Sequence, residues 1–210
     1  HRRSDNFVDS PSISYVESTA SSSCELVTEL LQSSSVSIPI YEGEATMMYL
    51  GILVDTGRFK SHTSERTFQA AATLRSWGAN GTYAEKALKE DYGLYMERME
   101  LVSQAENYKG RFMISASEKP VSRTMLSQVS DALLLIKGCQ ASFTIGKNRD
   151  NGRTAISARS DGSFNVQTVM EKMRGGGHFA AAAMERDDLT VQEAEDLLKS
   201  LLDEGQEEES

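Results

Sequence analysis

The run Gly175-Gly176-Gly177-His178, followed by Phe179 and alanines at 180–183, has the residue types of a ligand-binding loop. Glycine loses more backbone freedom on folding than any other residue, so three in succession need a structural reason. A tight turn is one such reason, and a backbone that must lie against a ligand is another. For Gly176 we expect a positive φ and a close approach of the ligand to the backbone.

The elements around this run determine which explanation applies. Apolar residues at i, i+3, i+4 and i+7 predict a helix that ends at Gly175; they are Val166, Val169, Met170 and Met173. The alanines are expected to start a second helix, whose N-terminal amides would face the glycines. Free amides beside a histidine would form an anion site. The alternative is a glycine that ends a helix, with a histidine next to it by chance.

A second motif lies just upstream, where Ser157-Ala158-Arg159-Ser160 closes a β-like run over 154–157. Together, ISARS, FNVQTVMEKM and GGGH resemble the DHHA1 domain of the DHH phosphoesterase superfamily. In that family, GGGH and the upstream arginine bind the phosphate or nucleotide of the substrate. The resemblance therefore assigns substrate binding to Arg159, Ser160, Gly175, Gly176, Gly177 and His178. Relatives have GGGHxxAAG, whereas Ala183 replaces the last glycine here.

The first half contains a candidate metal ligand, Asp55, at the end of the apolar run 45–54. Ala, Met and Leu dominate this run, which favours a helix. A carboxylate in this position suits a hard divalent cation. Asp55 is followed by Thr56 and Gly57, so a helix cap or a turn is the alternative interpretation.

The motifs ASSSCELVTELL, GILVDTGRF and SERTFQAAATLRSWGA occur in an order that resembles the C-terminal half of a DHH domain. The resemblance is closest to GdpP-type cyclic-di-AMP phosphodiesterases. It implies that His1 is the second histidine of the DHHRR signature and that His1 and Asp55 are catalytic. It also implies that Asp55 binds metal and that Arg66, near the active cleft, binds the substrate.

The resemblance further implies hydrolysis of cyclic-di-AMP to pApA with two Mn²⁺ ions per active site. The remaining metal ligands would lie upstream of residue 1, where relatives carry transmembrane helices and sensory domains. We therefore expect an inactive fragment that retains the nucleotide pocket. Two alternatives remain open. One is an oligoribonuclease or phosphoadenosine-phosphate phosphatase of the same superfamily, and the other is a nucleotide-binding module without catalysis.

Charge and composition restrict the partners. The net charge is −9, and five of the 31 acidic residues lie in the last eight positions, which leaves 26 acidic against 22 basic residues. Such a chain has no general affinity for long nucleic acid, so a cyclic dinucleotide or short nucleotide is the expected ligand. Cys24 and Cys139 are expected to be reduced and buried in a cytoplasmic chain without a membrane segment. A homodimer would cover apolar faces of the first lobe.

The order of predicted elements indicates an α/β fold with two lobes. We expect an N-terminally truncated DHH domain with a linker helix over residues 1–105, and a smaller DHHA1 domain over 106–210. The linker helix would cover 82–104, for which a plain surface helix is the alternative. In the second lobe we predict a helix over 122–136, strands over 141–147 and 152–158, and a C-terminal helix that begins with a Thr190–Glu193 capping box.

Overall fold

The computed structural model describes residues 14–207, with the backbone alone for 205–207. The chain divides into two compact units between Lys89 and Glu90. The predicted α/β fold is confirmed, since the described residues contain both helices and a mixed sheet. The domain limits at 105 and 106 stay a prediction.

The first unit is helical over residues 14–89. Its helices are α1 (Ser23–Gln32), α2 (Glu42–Asp55), α3 (Glu65–Ser76) and α4 (Gly81–Ala87). They enclose a small core of buried apolar residues: Ala45, Ile52, Ala70, Leu74 and Ala79. The helix expected over 45–54 is confirmed as α2, which ends at the candidate metal ligand Asp55.

The second unit begins with α5 and contains the sheet. In chain order its elements are α5 (Tyr92–Ser103), β1 (Glu106–Tyr108), β2 (Phe112–Val121), α6 (Arg123–Leu134), β3 (Ala141–Asn148), β4 (Thr154–Ser160), α7 (Val166–Lys172), β5 (Gly176–His178), β6 (Ala181–Arg186) and α8 (Val191–Glu207). The helix predicted over 82–104 is interrupted at 88–91, where the Asp91 carboxylate accepts hydrogen bonds from the amides of Gly93 and Leu94 and starts α5.

The described part of the sheet has the strand order β1-β2-β3-β4-β6-β5. Strands β2 and β3 are parallel and are connected by α6, whereas the other neighbouring strands are antiparallel. Helix α6 packs on one face of the sheet through Met125, Leu126 and Val129. Helices α7 and α8 cover the other face, where Phe112, Phe143 and Ile156 are buried.

Side-chain caps begin two helices in this unit, and the capping box predicted for the second of them is confirmed. The Ser122 hydroxyl accepts a hydrogen bond from the Met125 amide at the start of α6. Thr190 and Glu193 form the reciprocal capping box of α8, with each side chain bonded to the backbone amide of the other residue. These caps satisfy amides that have no partner within the helix.

The alanines after the glycine run were expected to form a helix, and this prediction is wrong. Ala181, Ala182 and Ala183 belong to β6, which pairs with β5 in the register Gly176↔Ala183, Gly177↔Ala182 and His178↔Ala181. Alanine favours helices, but pairing with β4 and β5 outweighs that preference. The Gly175–Gly177 stretch therefore faces a strand instead of a helix N-terminus, and Ala183 lies in that strand.

Candidate functional site

Small and polar side chains cover one face of two neighbouring strands, β4 and β6. Side chains alternate between the faces of a strand, so Ser157 and Arg159 point to the α6 side while Ile156 and Ala158 enter the opposite core. On β6, Ala181 and Ala183 share the α6 side. Helix α6 packs on β2, β3 and β4. The surface of β6 beside the helix therefore forms an open floor with little side-chain bulk.

A cleft of about 500 Å³ lies over this floor. Helix α6 contributes Arg123, Leu126 and Ser127 to it, and β5 contributes Gly176 and Gly177. The volume is within the range of roughly 300–1,000 Å³ found for small-molecule sites. The cleft thus brings Arg159 of the ISARS motif together with Gly176 and Gly177 of the GGGH motif.

The guanidinium of Arg159 is fixed by groups from α6 and its own strand. Its Nε donates to Asp131 Oδ1 at 2.9 Å, and Nη2 donates to the Ser127 hydroxyl. Nη1 donates to the Ala158 carbonyl at 2.9 Å and to the Ser157 hydroxyl at 3.4 Å. A guanidinium has five N–H groups, so these bonds leave one on Nη2 for a ligand. The arginine is therefore oriented at the edge of the cleft before any anion binds.

The three glycines have different structural roles. A Cβ at Gly175 would lie 2.2 Å from the Ala183 carbonyl oxygen, and one at Gly177 would lie 2.4 Å from the Ala182 Cα. Both positions need glycine for the close pairing of β5 with β6. A Cβ at Gly176 would meet nothing within 4 Å. The positive φ expected at Gly176 is found at Gly177 instead, with a value of 148°, so Gly176 is the glycine whose side-chain direction is open.

A second arginine lies in the cleft. Arg123, in the first turn of α6, forms an ion pair with Glu185 of β6. Glu185 also accepts hydrogen bonds from the side-chain amides of Asn148 and Asn151. Burial raises the pKa of Glu185, but the hydrogen bonds from Asn151 and Asn148, together with the charge and hydrogen bond of Arg123, give a net lowering of the pKa. Glu185 is therefore an ionised, fixed partner for the Arg123 guanidinium.

Ser160 and His178 do not line this cleft. The Ser160 hydroxyl accepts hydrogen bonds from the amides of Gly162 and Phe164, and so stabilises the turn after β4. His178 is exposed at the end of β5, opposite Ala181. Substrate contacts by these two residues and by Gly175 stay predictions.

Asp55 lies in a different cleft, of about 550 Å³, in the first unit. Its lining includes Asp55, Ser21 and His62. The intervening loop contains three non-glycine residues at positive φ, Arg58, Phe59 and His62, and Phe59 is held by stacking on Phe68 with ring centroids 5.4 Å apart. Burial, together with the nearby Asp55 charge, raises the pKa of the Cys24 thiol.

The fit of this cleft to Mn²⁺ depends on its carboxylate and imidazole groups. Between residues 14 and 204, no group of three or more His, Cys, Asp or Glu side chains could hold a metal ion. Asp55 and His62 alone do not meet the coordination demand of a divalent cation. His1 lies outside the described residues. The described residues therefore do not by themselves fit the two-metal centre that the resemblance implies.

Arg66, expected near the active cleft, is bound within the first unit. Its Nε and Nη2 donate to the two carboxylate oxygens of Glu29 at 2.8 and 2.6 Å, and Nη2 also donates to the Tyr15 hydroxyl at 3.3 Å. The hydrogen bonds to Glu29 raise the pKa of Arg66, so it stays cationic. This bidentate pair joins α3 to α1. A substrate contact by Arg66 stays a prediction.

Sequence reasoning missed Arg123, Ser127, Asp131 and Glu185. Arg123 and Ser127 are four residues apart, which places them on one side of a helix, and Ser157 is two residues from Arg159, which places them on one face of a strand. These spacings were available as signals. The contact between α6 and β4 could not be read from the sequence, because it depends on how α6 crosses from β2 to β3.

Comparison with known proteins identifies the domain class of the second unit. Residues 109–206 match the family model of the DHHA1 domain, so the second unit carries a DHHA1 domain. An exopolyphosphatase-related protein from Bacteroides fragilis has a similar fold, with a TM-score of 0.78 over 89% of this chain and 57% of that one. Its sequence identity of 21% supports the fold alone.

Two curated relatives make the family more specific. The chain is 40% identical over 204 residues to the cyclic-di-AMP phosphodiesterase GdpP of Geobacillus thermodenitrificans, which covers 96% of this chain. It is 41% identical over 205 residues to the cyclic-di-AMP phosphodiesterase PdeA of Listeria monocytogenes, and this match covers 97% of the chain. The predicted resemblance to DHH/DHHA1 proteins of the GdpP type is thereby confirmed. The chain spans 31% of the length of each of these relatives.

None of the described helices combines the length and the apolar character that a bilayer-spanning helix requires.

Proposed function

We propose that the cleft of the second unit binds the phosphate and nucleoside of an adenine dinucleotide, as the substrate-recognition part of a cyclic-di-AMP phosphodiesterase. One observation carries the proposal: Arg159 and the glycine backbone at 176 and 177 line the same cleft. The names of the GdpP and PdeA relatives support cyclic-di-AMP as the ligand. Its linear product pApA is the second ligand that the resemblance implies.

Each part of the cleft has a chemical role in this proposal. Arg159 binds a phosphate oxygen, because a guanidinium forms strong charge-assisted hydrogen bonds to phosphate. Ser127 and Ser157 supply hydroxyls next to it. The alanine floor and the open side of Gly176 leave room for a flat base or a sugar. His178, which does not line the cleft, is proposed to donate a hydrogen bond to the ligand from the end of β5.

Catalysis is a separate part of the proposal. The resemblance implies hydrolysis with two Mn²⁺ ions, one of them bound by Asp55. The described residues of the first unit supply no three-ligand group for such an ion. We therefore assign no catalytic step to them, and we expect the 210-residue chain to bind the nucleotide without turnover.

Calorimetry on the 210-residue chain tests binding directly. Titrations with pApA and with cyclic-di-AMP in EDTA should give saturable binding that Arg159→Ala weakens. Absence of saturable binding to folded protein would contradict the proposal. Adding Mn²⁺ and following the products by chromatography separates binding from hydrolysis, and formation of pApA would contradict the expected inactivity. Tighter binding of phosphoadenosine phosphate than of pApA would favour the alternative member of the superfamily.

A further inference from the structure

We infer that Arg123 is a second phosphate-binding residue of the cleft, so that this site selects ligands with two phosphates over mononucleotides. The inference rests on the proposed function, because it assumes that a nucleotide occupies the cleft. It adds Arg123, which lies outside the GGGH and ISARS motifs, to the residues of the cleft. It also makes the number of phosphates the property by which the cleft selects its ligand.

The side chains of Arg123 and Arg159 lie beside different turns of α6. Arg123 is in the first turn of the helix, whereas the Arg159 guanidinium is bound further along, at Ser127 and Asp131. Four residues separate Arg123 from Ser127, which corresponds to roughly 6 Å along a helix axis. Both arginines line the same cleft. The cleft therefore offers two separate guanidinium groups to one ligand.

Arg123 is available to a ligand and is also held in place. Its side chain is 66% exposed, while that of its partner Glu185 is 16% exposed. Asn148, the last residue of β3, and Asn151, in the loop that follows it, fix the Glu185 carboxylate. This arrangement anchors one edge of the Arg123 guanidinium and leaves the rest accessible. A bidentate guanidinium can bind carboxylate and phosphate on different edges.

Helix stability does not explain why a cation occupies this position. The helix dipole disfavours positive charge in the first turn, and α6 has no acidic residue there. The charged side chains that line the cleft are Arg123, Arg159 and Glu185. Arg123 is paired with Glu185 and Arg159 with Asp131, so a single phosphate bound at Arg159 leaves the exposed part of the Arg123 guanidinium unused. A dinucleotide brings a second phosphate, whereas AMP does not.

The test compares two ligands that differ in phosphate number. Binding of pApA and of AMP is measured by calorimetry for the parent chain, Arg123→Ala, Arg123→Gln and Arg159→Ala. Arg153→Ala is the matched control, because Arg153 is an exposed arginine that pairs with Asp187 and does not line the cleft. Circular dichroism establishes that each variant is folded at the temperature of the titration.

The parent should bind pApA more tightly than AMP. Arg123→Ala and Arg123→Gln should weaken pApA binding by roughly ten- to a hundredfold, the typical loss for a charged hydrogen bond, and leave AMP binding within about twofold. Arg153→Ala should change neither. Equal losses for both ligands, or no loss for pApA, would overturn the inference. In that case a retained effect of Arg159→Ala still supports the proposed function, whereas a parent that binds neither ligand removes both.

Discussion

Arg159 Nε donates a hydrogen bond to Asp131 Oδ1 at 2.9 Å, which joins strand β4 to helix α6 at the edge of the cleft. The Asp131 side chain is 58% exposed, so water weakens this ion pair. A phosphate that enters the cleft can therefore compete with Asp131 for the guanidinium at little cost. The pair orients the arginine without blocking the site.

The first prediction concerns this pair. Arg159→Ala should weaken pApA binding by about 1.5–3 kcal/mol, the usual contribution of a hydrogen bond to a charged group. Asp131→Asn should change the binding free energy by less than about 1 kcal/mol, because an exposed ion pair contributes little. Calorimetry measures both values. A larger effect of Asp131→Asn than of Arg159→Ala would contradict a direct phosphate contact by the arginine.

The second prediction separates the glycines. Gly176→Val should reduce pApA binding with little loss of thermal stability, since its side chain would project into open space in the cleft. Gly177→Val should lower the melting temperature, because its Cβ would collide with the Ala182 backbone and φ is 148°.

Circular dichroism melts and pApA titrations, performed on the same preparations, distinguish these outcomes. If the glycines serve only to end α7, both variants should bind in proportion to their folded fraction. Normal pApA binding by folded Gly176→Val would exclude Gly176 from the ligand surface.

Parts of this fold were predictable because their signals are local. Helix α6 follows from apolar residues at Leu126, Val129 and Leu133 after the Ser122 cap, and α8 follows from its capping box. Arg159 and Gly176, which line one cleft, were singled out through sequence motifs. In both cases a few neighbouring residues carry enough information.

Other features depend on contacts between distant parts of the chain. Alanine at 181–183 has a helical preference, and only pairing with β4 and β5 makes the segment a strand. The bidentate pairing of Arg66 with Glu29, which lies 37 residues away on another helix, was also not predicted. The Arg123–Glu185 pair likewise requires the crossover between β2 and β3 and the position of β6.

A third prediction tests the polar layer between α6 and the sheet. The buried Ser130 hydroxyl contacts the Thr144 hydroxyl at 2.8 Å and the Ser157 carbonyl at 2.9 Å. Ser130→Ala should lower the free energy of unfolding by about 1–3 kcal/mol, since it leaves buried polar groups without a partner. The exposed Ser163→Ala serves as the control and should cost less than about 0.5 kcal/mol in urea denaturation. Similar values for the two variants would show that this layer does not stabilise the unit.

A fourth prediction concerns acid stability. Hydrogen bonds from Arg186 lower the pKa of Asp188 from 3.8 to about 2. A carboxyl group whose pKa is lower in the folded state stabilises the fold above its unfolded pKa and loses that contribution as the pH falls through the folded value. The difference in melting temperature between the parent and Asp188→Asn should therefore shrink between pH 4 and pH 2. A difference that stays constant over this interval would contradict the assignment.

We propose that pApA lies between Arg159 and β5, and an NMR titration tests this placement most directly. In ¹⁵N spectra of the folded chain, the Gly176 and Gly177 amides and the Arg159 Nε–H signal should shift saturably with pApA. Arg153 Nε–H, outside the cleft, should not respond. Saturable shifts confined to other surfaces, with Arg159 and both glycines unchanged, would show that the ligand binds elsewhere and would contradict the account.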